Sequence, residues 1–266
     1  MPNKLTSATY LQAATQAALL AGELLRTGFA AKKKIEEKAG IQNLVTQYDR
    51  QSEKLIIDFL QKKFPQSSFL AEEEPPLGGS DDLQWIIDPL DGTVNFARGL
   101  PIFSISIAAR KKNTTVAGVI YQPLTQELFT CEKGQGAYLN SQKITVSKTA
   151  KIQKALAATG FPYDLDKNPF NCIENLLQIL KRGLPIRRLG SAAIDLAYLA
   201  AGRFDFYFEA YLQPWDCAAG QLLLEEAGGK LSHWDGRPFD IFAKQPLLAT
   251  NTLLHQVILE IFGAKK

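Results

Sequence analysis

The sequence predicts a mixed α/β (α+β) protein of two packed halves, the first carrying an antiparallel meander and the second alternating strands with helices. Three observations predict it: apolar residues at helical spacing near the start, short strand-like runs between about residues 85 and 140, and strand–helix alternation after residue 149.

In chain order, Leu11, Ala14, Ala18, Ala21 and Leu25 recur at helical spacing and predict a helix over 8–30. A second helix is expected over 47–63, stopping before Pro65, which disfavours helical backbone at the residue it follows. Phe69-Leu70 is a short apolar stub that runs into Glu72-Glu73-Glu74 and Pro75-Pro76-Leu77-Gly78-Gly79, a strand edge followed by an exposed, mobile loop. Trp85-Ile86-Ile87 and the runs 102–109, 116–121, 127–131 and 136–140 predict the meander. Beyond it come a strand over 155–159, helices over 170–181 and 191–201, a strand over 203–209, a helix over 216–227, a strand over 247–250 and a closing helix. The halves divide as 1–149 (α+β) and 150–266 (α/β). With no repeat or low-complexity linker between them, they are expected to share an interface.

A chain of 266 residues with 46% hydrophobic composition can bury a substantial core. Its net charge of +3, from 30 basic and 27 acidic residues, gives no reason to expect a nucleic-acid or membrane partner. The densest basic run, Lys32-Lys33-Lys34, reads as a solvated face. No segment has the length of a bilayer span or the pattern of a signal peptide, so a soluble, cytoplasmic protein is expected. Cys131, Cys172 and Cys217 are odd in number and widely spaced, which argues against a disulfide framework and a thiolate metal site. With only His233 and His255 present, any metal must be held mainly by oxygen.

Three acidic segments carry the chemistry. In Trp85-Ile86-Ile87-Asp88-Pro89-Leu90-Asp91-Gly92-Thr93, an apolar strand delivers Asp88, Pro89 stiffens the turn, and Asp91 follows three residues later. Two hard oxygen donors facing one small volume suit magnesium better than zinc. Gly92 permits close backbone approach, and Gly92-Thr93 at the mouth of a short helix would offer N–H groups to a phosphate. Asp216, in Pro214-Trp215-Asp216-Cys217-Ala218-Ala219-Gly220, begins a helix that ends at Gly228-Gly229. Glu72 lies in Ala71-Glu72-Glu73-Glu74. Each has a plain structural reading as well: a tight turn, a helix N-cap and a solvated acidic loop, respectively.

Taken together and in this order, these segments resemble the inositol monophosphatase family of lithium-sensitive, metal-dependent phosphatases. The first signature is similar to Asp88-Pro89-Leu90-Asp91-Gly92-Thr93-x-Asn95-Phe96, and the second to Trp215-Asp216-x-Ala218-Ala219-Gly220 continuing to Glu226-Ala227-Gly228-Gly229. The resemblance implies a layered αβαβα sandwich of the inositol monophosphatase and fructose-1,6-bisphosphatase type, usually a homodimer, with the site between the two halves. It implies two or three Mg2+ ions ligated by Glu72, Asp88, the Leu90 carbonyl, Asp91 and Asp216, with Asp88 bridging two of them. Thr93, paired with Glu72, would orient the attacking water, and Asp49 would hydrogen-bond the Thr93 hydroxyl. Asp91, Gly92, Thr93, Gly190, Ser191, Ala192, Glu209 and Asp216 would contact substrate. The implied activity is hydrolysis of inositol monophosphate or a related sugar phosphate, and Asn95-Phe96 resembles the inositol branch. Fructose-1,6-bisphosphate, histidinol phosphate and 3′-phosphoadenosine 5′-phosphate are the alternative substrates. A regulatory binding protein that retains the fold is the alternative of another class. The chain departs from the family in having Ala71 and Glu74 where Gly and Ser are frequent, and Asn43 where an acidic residue is frequent.

Overall fold

The computed structural model describes residues 6–31, 33–37, 44–80, 82–162 and 164–263, so Lys32 and Asn43 lie outside the described residues. Helix α1 (Ser7–Ala30) leads to β1 (Ile35–Glu37) and β2 (Leu44–Thr46), which pair antiparallel, then to α2 (Gln47–Lys63). The next segment supplies β3 (Ser68–Ala71), β4 (Leu83–Asp91), α3 (Thr93–Arg98), β5 (Ser104–Lys111), β6 (Thr114–Gln122), β7 (Glu127–Glu132), β8 (Gly136–Leu139) and β9 (Gln142–Ile144). After it come β10 (Ala157–Thr159), α4 (Cys172–Leu180), β11 (Ile186–Arg187), α5 (Ala192–Ala200), β12 (Phe206–Glu209), α6 (Pro214–Glu226), β13 (Lys230–Ser232), β14 (Leu247–Thr250) and α7 (His255–Ile261).

Period-two alternation decides what each strand faces. In β4, Trp85 and Ile87 pack with α1 and α2, while Ile86 turns to the other side. Ile105, Ile107 and Ala109 of β5 follow the first group and Ala108 the second. That sheet is seven-stranded, in the order β3-β4-β5-β6-β7-β8-β9, antiparallel except where β3 runs parallel to β4. Its second face packs on α5 and α6, whose Leu196, Leu199, Leu222 and Leu223 also meet Tyr207, Leu247 and Ala249 of the smaller sheet. The smaller sheet has the order β11-β10-β12-β14-β13, with β10 parallel to both neighbours and β14 antiparallel to both of its own. Phe206, Phe208 and Leu248 face away from α5 and α6, against Ile179 of α4 and Ile258 and Leu259 of α7. The result is five layers, αβαβα.

Several element boundaries differ from the sequence expectation for local reasons. The strand expected from Arg203 begins at Phe206, because Gly202 takes a φ of 73° and the Arg203 amide closes α5 on the Tyr198 carbonyl. The helix expected from Phe170 begins at Cys172, since Asn168, Phe170 and Asn171 all have positive φ. The loop after Glu72 is exposed, as expected, but it is tied down. Phe69 and Leu77 exchange backbone hydrogen bonds of 2.8 and 3.0 Å, and the Glu73 and Glu74 amides are held by a buried side chain of α2. Among the described residues, no helix is long and apolar enough to cross a membrane.

Candidate active site

The reading of Asp88-Pro89-Leu90-Asp91 as a turn is corrected by the structure: β4 continues through Asp91. Asp88 pairs with Ser106 and Asp91 with Ser104, so three steps along β4 match two along β5 and the strand carries a bulge. In a regular strand, residues three apart point to opposite faces, and the extra residue brings both carboxylates to the same one. Pro89 is tolerated because a bulge demands no ladder hydrogen bond from its nitrogen.

The chain then turns at Gly92, whose φ of 95° precedes α3. A Cβ there would lie 3.0 Å from the Ile102 carbonyl oxygen and 3.3 Å from that of Gly190, so only glycine lets these loops close on one another. Gly190, itself at φ 81°, faces the Asn95 amide, which donates to the carbonyls of Ile102 and Leu189 at 2.8 Å. Ser191 is the N-cap of α5 and donates its hydroxyl to Asp91 Oδ2, and the Ala193 amide reaches the same oxygen at 2.8 Å. The Gly190-Ser191-Ala192 segment thus supports Asp91 directly.

Asp216 is the third residue of α6, with Gln213 in the N-cap position, so the simple N-cap reading is replaced by its reciprocal half: Oδ2 accepts from the Gln213 amide at 2.7 Å. The Ser106 hydroxyl donates to the Trp215 carbonyl at 3.2 Å and ties this helix start to β5. Asp49, fully buried near the start of α2, accepts from the Thr46 amide (2.8 Å), the Thr46 hydroxyl (2.6 Å) and the Thr93 hydroxyl (2.7 Å). Thr93 Oγ1 also lies 3.0 Å from the Leu90 carbonyl oxygen. Glu209 ends β12 and accepts from the Tyr207 hydroxyl.

These carboxylates sense one another. Burial pushes the Asp88 carboxyl well above its ordinary range, and the charges of Glu72, Asp91 and Asp216 push it further. Asp216 is raised by burial, then by Asp91, with smaller contributions from Glu72 and Glu209. Asp91 is pushed up to about 6 by burial, against which its bonds from Ser191 and the α5 amides act. Glu209 is raised by burial to about 7. Among the described residues, no three Asp, Glu, His or Cys side chains form a closed ligand cluster. Asp91 and Asp216 each engage one oxygen with a backbone amide. The donor set is all oxygen and carries an excess of buried negative charge, the chemistry that fits a hard divalent cation.

Sequence reasoning missed four groups beside these residues. Ser104 pairs with Asp91 across the sheet and sits 3.3 Å from Ser191 Oγ. Ser52 donates to the Pro89 carbonyl at 2.8 Å, and Glu53 accepts from the Glu73 and Glu74 amides at 2.9 Å each. Asp195 is buried on α5, and its Oδ1 has no hydrogen-bond partner among the described residues. The available signal was on α2, where Asp49, Ser52 and Glu53 share the helical face of the buried Ile56 and Leu60.

Comparison with known proteins shows the family. The chain is 43% identical over 227 residues to Nus factor SuhB of Haemophilus influenzae, with 85% of each chain covered. It is 40% identical over 257 residues to inositol-1-monophosphatase of Synechocystis, covering 96% of this chain and 89% of the relative. The solved structure of inositol monophosphatase from Anabaena superposes with a TM-score of 0.86 at 40% identity, covering 96% of both chains. The family model described as the inositol monophosphatase family matches residues 7–265, and this chain belongs to that family.

Proposed function

We propose that the protein hydrolyses inositol monophosphate or a related sugar phosphate to the alcohol and inorganic phosphate, with magnesium as cofactor. The observation that supports this reading is that the charges of Glu72, Asp91 and Asp216, which come from three separate segments, all act on the buried Asp88. Glu72, Asp88, the Leu90 carbonyl, Asp91 and Asp216 are the groups suited to hold two or three Mg2+ ions. Bound magnesium would acidify a water and neutralise charge on the transferring phosphoryl group.

The chain's own residues do the rest. Asp49 accepts the Thr93 hydroxyl proton, so the Thr93 lone pairs are left to orient a water, and Glu72 is the carboxylate paired with Thr93 to receive its proton. Gly92 and Thr93 bring backbone N–H groups to the phosphate, and Gly190, Ser191 and Ala192 close the wall behind it. Glu209, a carboxylate at the end of the central strand of the smaller sheet, suits a polyol because it accepts hydrogen bonds from vicinal hydroxyls. Residues 1–149 would supply most metal ligands and the phosphate contacts of Asp91, Gly92 and Thr93, and residues 150–266 the remaining substrate contacts and Asp216. The same reading makes the protein a cytoplasmic homodimer.

The test is phosphate release, with and without Mg2+, from inositol monophosphate, fructose-1,6-bisphosphate, histidinol phosphate and 3′-phosphoadenosine 5′-phosphate. Magnesium-dependent release, fastest from the inositol ester and abolished by Asp91→Asn in a folded variant, is expected. Equal or faster turnover on another ester would overturn the inositol assignment. Release indifferent to Mg2+ would overturn the mechanism. The name of the Haemophilus relative, Nus factor SuhB, favours a second reading as a regulatory binding factor that keeps the fold. A cellular phenotype that survives Asp91→Asn would support it.

A further inference from the structure

The buried face of α2 presents three polar side chains in succession, and each holds a different segment of the site. Asp49 holds Thr93, Ser52 holds the Pro89 carbonyl between the two β4 carboxylates, and Glu53 holds the two amides that follow Glu72. Glu53 is 1% exposed, and its two carboxylate oxygens take one amide each, Oε2 from Glu73 and Oε1 from Glu74. Fixing the peptides of residues 73 and 74 fixes the backbone on which Glu72 stands, at the point where β3 has ended. Two amide hydrogen bonds to the two oxygens of one carboxyl group fix the loop against α2 in both position and orientation.

We propose that Glu53 is a positioning residue for divalent-cation binding, setting the Glu72 carboxylate against those of β4 through the Glu73 and Glu74 amides. The inference rests on the cation-site reading above. A purely structural carboxylate of the same design exists elsewhere in the molecule for comparison. Glu226, at the end of α6, accepts from the Gly134 and Gly136 amides at 2.7 Å each and holds the turn between β7 and β8. Both forks therefore stabilise a loop, but only the one at Glu53 borders the carboxylates.

The experiment measures Mn2+ binding by the electron paramagnetic resonance of the free ion, with thermal unfolding of the same samples. It uses the full-length protein as wild type, Glu53→Ala, Glu53→Gln and Glu226→Ala. Mn2+ shares the octahedral oxygen preference of Mg2+ and gives a readout independent of turnover. Expected are a loss of affinity of roughly 10–100-fold in Glu53→Ala, the range seen when a group that orients a metal ligand is removed, and a smaller loss in Glu53→Gln. The amide keeps one acceptor but opposes the other N–H with its own. Glu226→Ala should unfold at lower temperature and bind Mn2+ like wild type. Wild-type affinity in folded Glu53→Ala overturns the proposal, and if that variant does not fold, wild-type affinity in Glu53→Gln does so. Absence of binding in the wild type itself would overturn the cation-site reading, and with it the proposal.

Discussion

Replacing Asp49 with asparagine tests the polarity of the Thr93 hydroxyl. Asp49 is a pure acceptor serving three donors: Oδ2 takes the amide and hydroxyl of Thr46, and Oδ1 takes the hydroxyl of Thr93. An asparagine side chain is isosteric but must turn its NH2 group toward one part of this set. With the NH2 in the Oδ2 position, the buried Thr46 amide faces another donor and two bonds are lost. In the Oδ1 position only one bond must reverse: the introduced amide would donate to Thr93 Oγ1, and the Thr93 proton would swing to the Leu90 carbonyl, 3.0 Å away. The second arrangement costs less and is the expected one. It replaces three bonds to a carboxylate by three to a neutral amide, a loss of about 2 kcal/mol in all, and lowers Tm by about 5 °C in a chain of this length. Its functional cost is larger, because the Thr93 lone pair that would orient water is now occupied. Phosphate release should fall by roughly 100-fold or more, the scale of a lost proton-handling group. The assay is Mg2+-dependent phosphate release beside thermal unfolding, with Thr93→Val as partner. The double variant should be no slower than the slower single variant, since both remove one function. Asp49→Asn turnover within about threefold of wild type would refute this account of Thr93, whatever happened to stability.

Gly92→Ala places a Cβ at φ 95°, 3.0 Å from the Ile102 carbonyl and 3.3 Å from the Gly190 carbonyl, and should cost about 2 kcal/mol by chemical denaturation. Pushing Gly190 away also moves Ser191 off Asp91, so the Mg2+ concentration for half-maximal release should rise; unchanged stability would show that the loops close by another route. His255 supplies a pH test far from the carboxylates. It is 3% exposed, its Nδ1 lies 3.0 Å from Thr250 Oγ1, and burial, with a smaller effect of Lys230, lowers its pKa to about 4. A depressed imidazole is neutral in the folded state while the unfolded chain protonates near 6.5, so its stabilising contribution is full above 6.5 and is lost as pH falls toward 4. Stability of the wild type minus that of His255→Leu should therefore decline with falling pH in that window, with a slope approaching about 1.4 kcal/mol per pH unit, the value for one proton. A flat difference would mean that the ring protonates while the protein stays folded.

The layered fold was legible wherever a strand carries one apolar face to each neighbour. Trp85, Ile86 and Ile87 announce a buried strand by composition alone, and the meander from β4 to β8 follows from runs separated by turn residues. Short elements escaped: β9, β11 and β13 have two or three residues each and too little pattern to register. β12 is shorter than its apolar run predicts, because Arg203 and Gly202 close a helix by backbone bonding, which leaves no mark in hydrophobic period.

The candidate carboxylates were legible because two of them sit in an unusual string of Asp, Pro and Gly, but the reason the string works was not. By sequence alone Pro89 stiffens a turn, whereas the register against Ser104 and Ser106 places it within a bulge that turns Asp91 to the side of Asp88. A turn and a bulge favour the same residues, and only the partner strand distinguishes them. Glu53 was hidden for a different reason. Its partners are the amides of Glu73 and Glu74, groups every residue but proline possesses, so nothing in their side chains advertises the contact. What does advertise it is on α2 itself: a charged residue on the stripe of Ile56 and Leu60 must either face water or find donors inside. At 1% exposure it has found donors, and the donors found are those that adjoin Glu72. A buried carboxylate on an apolar helical face thus points to a backbone that must be held still, and here that backbone carries a proposed ligand.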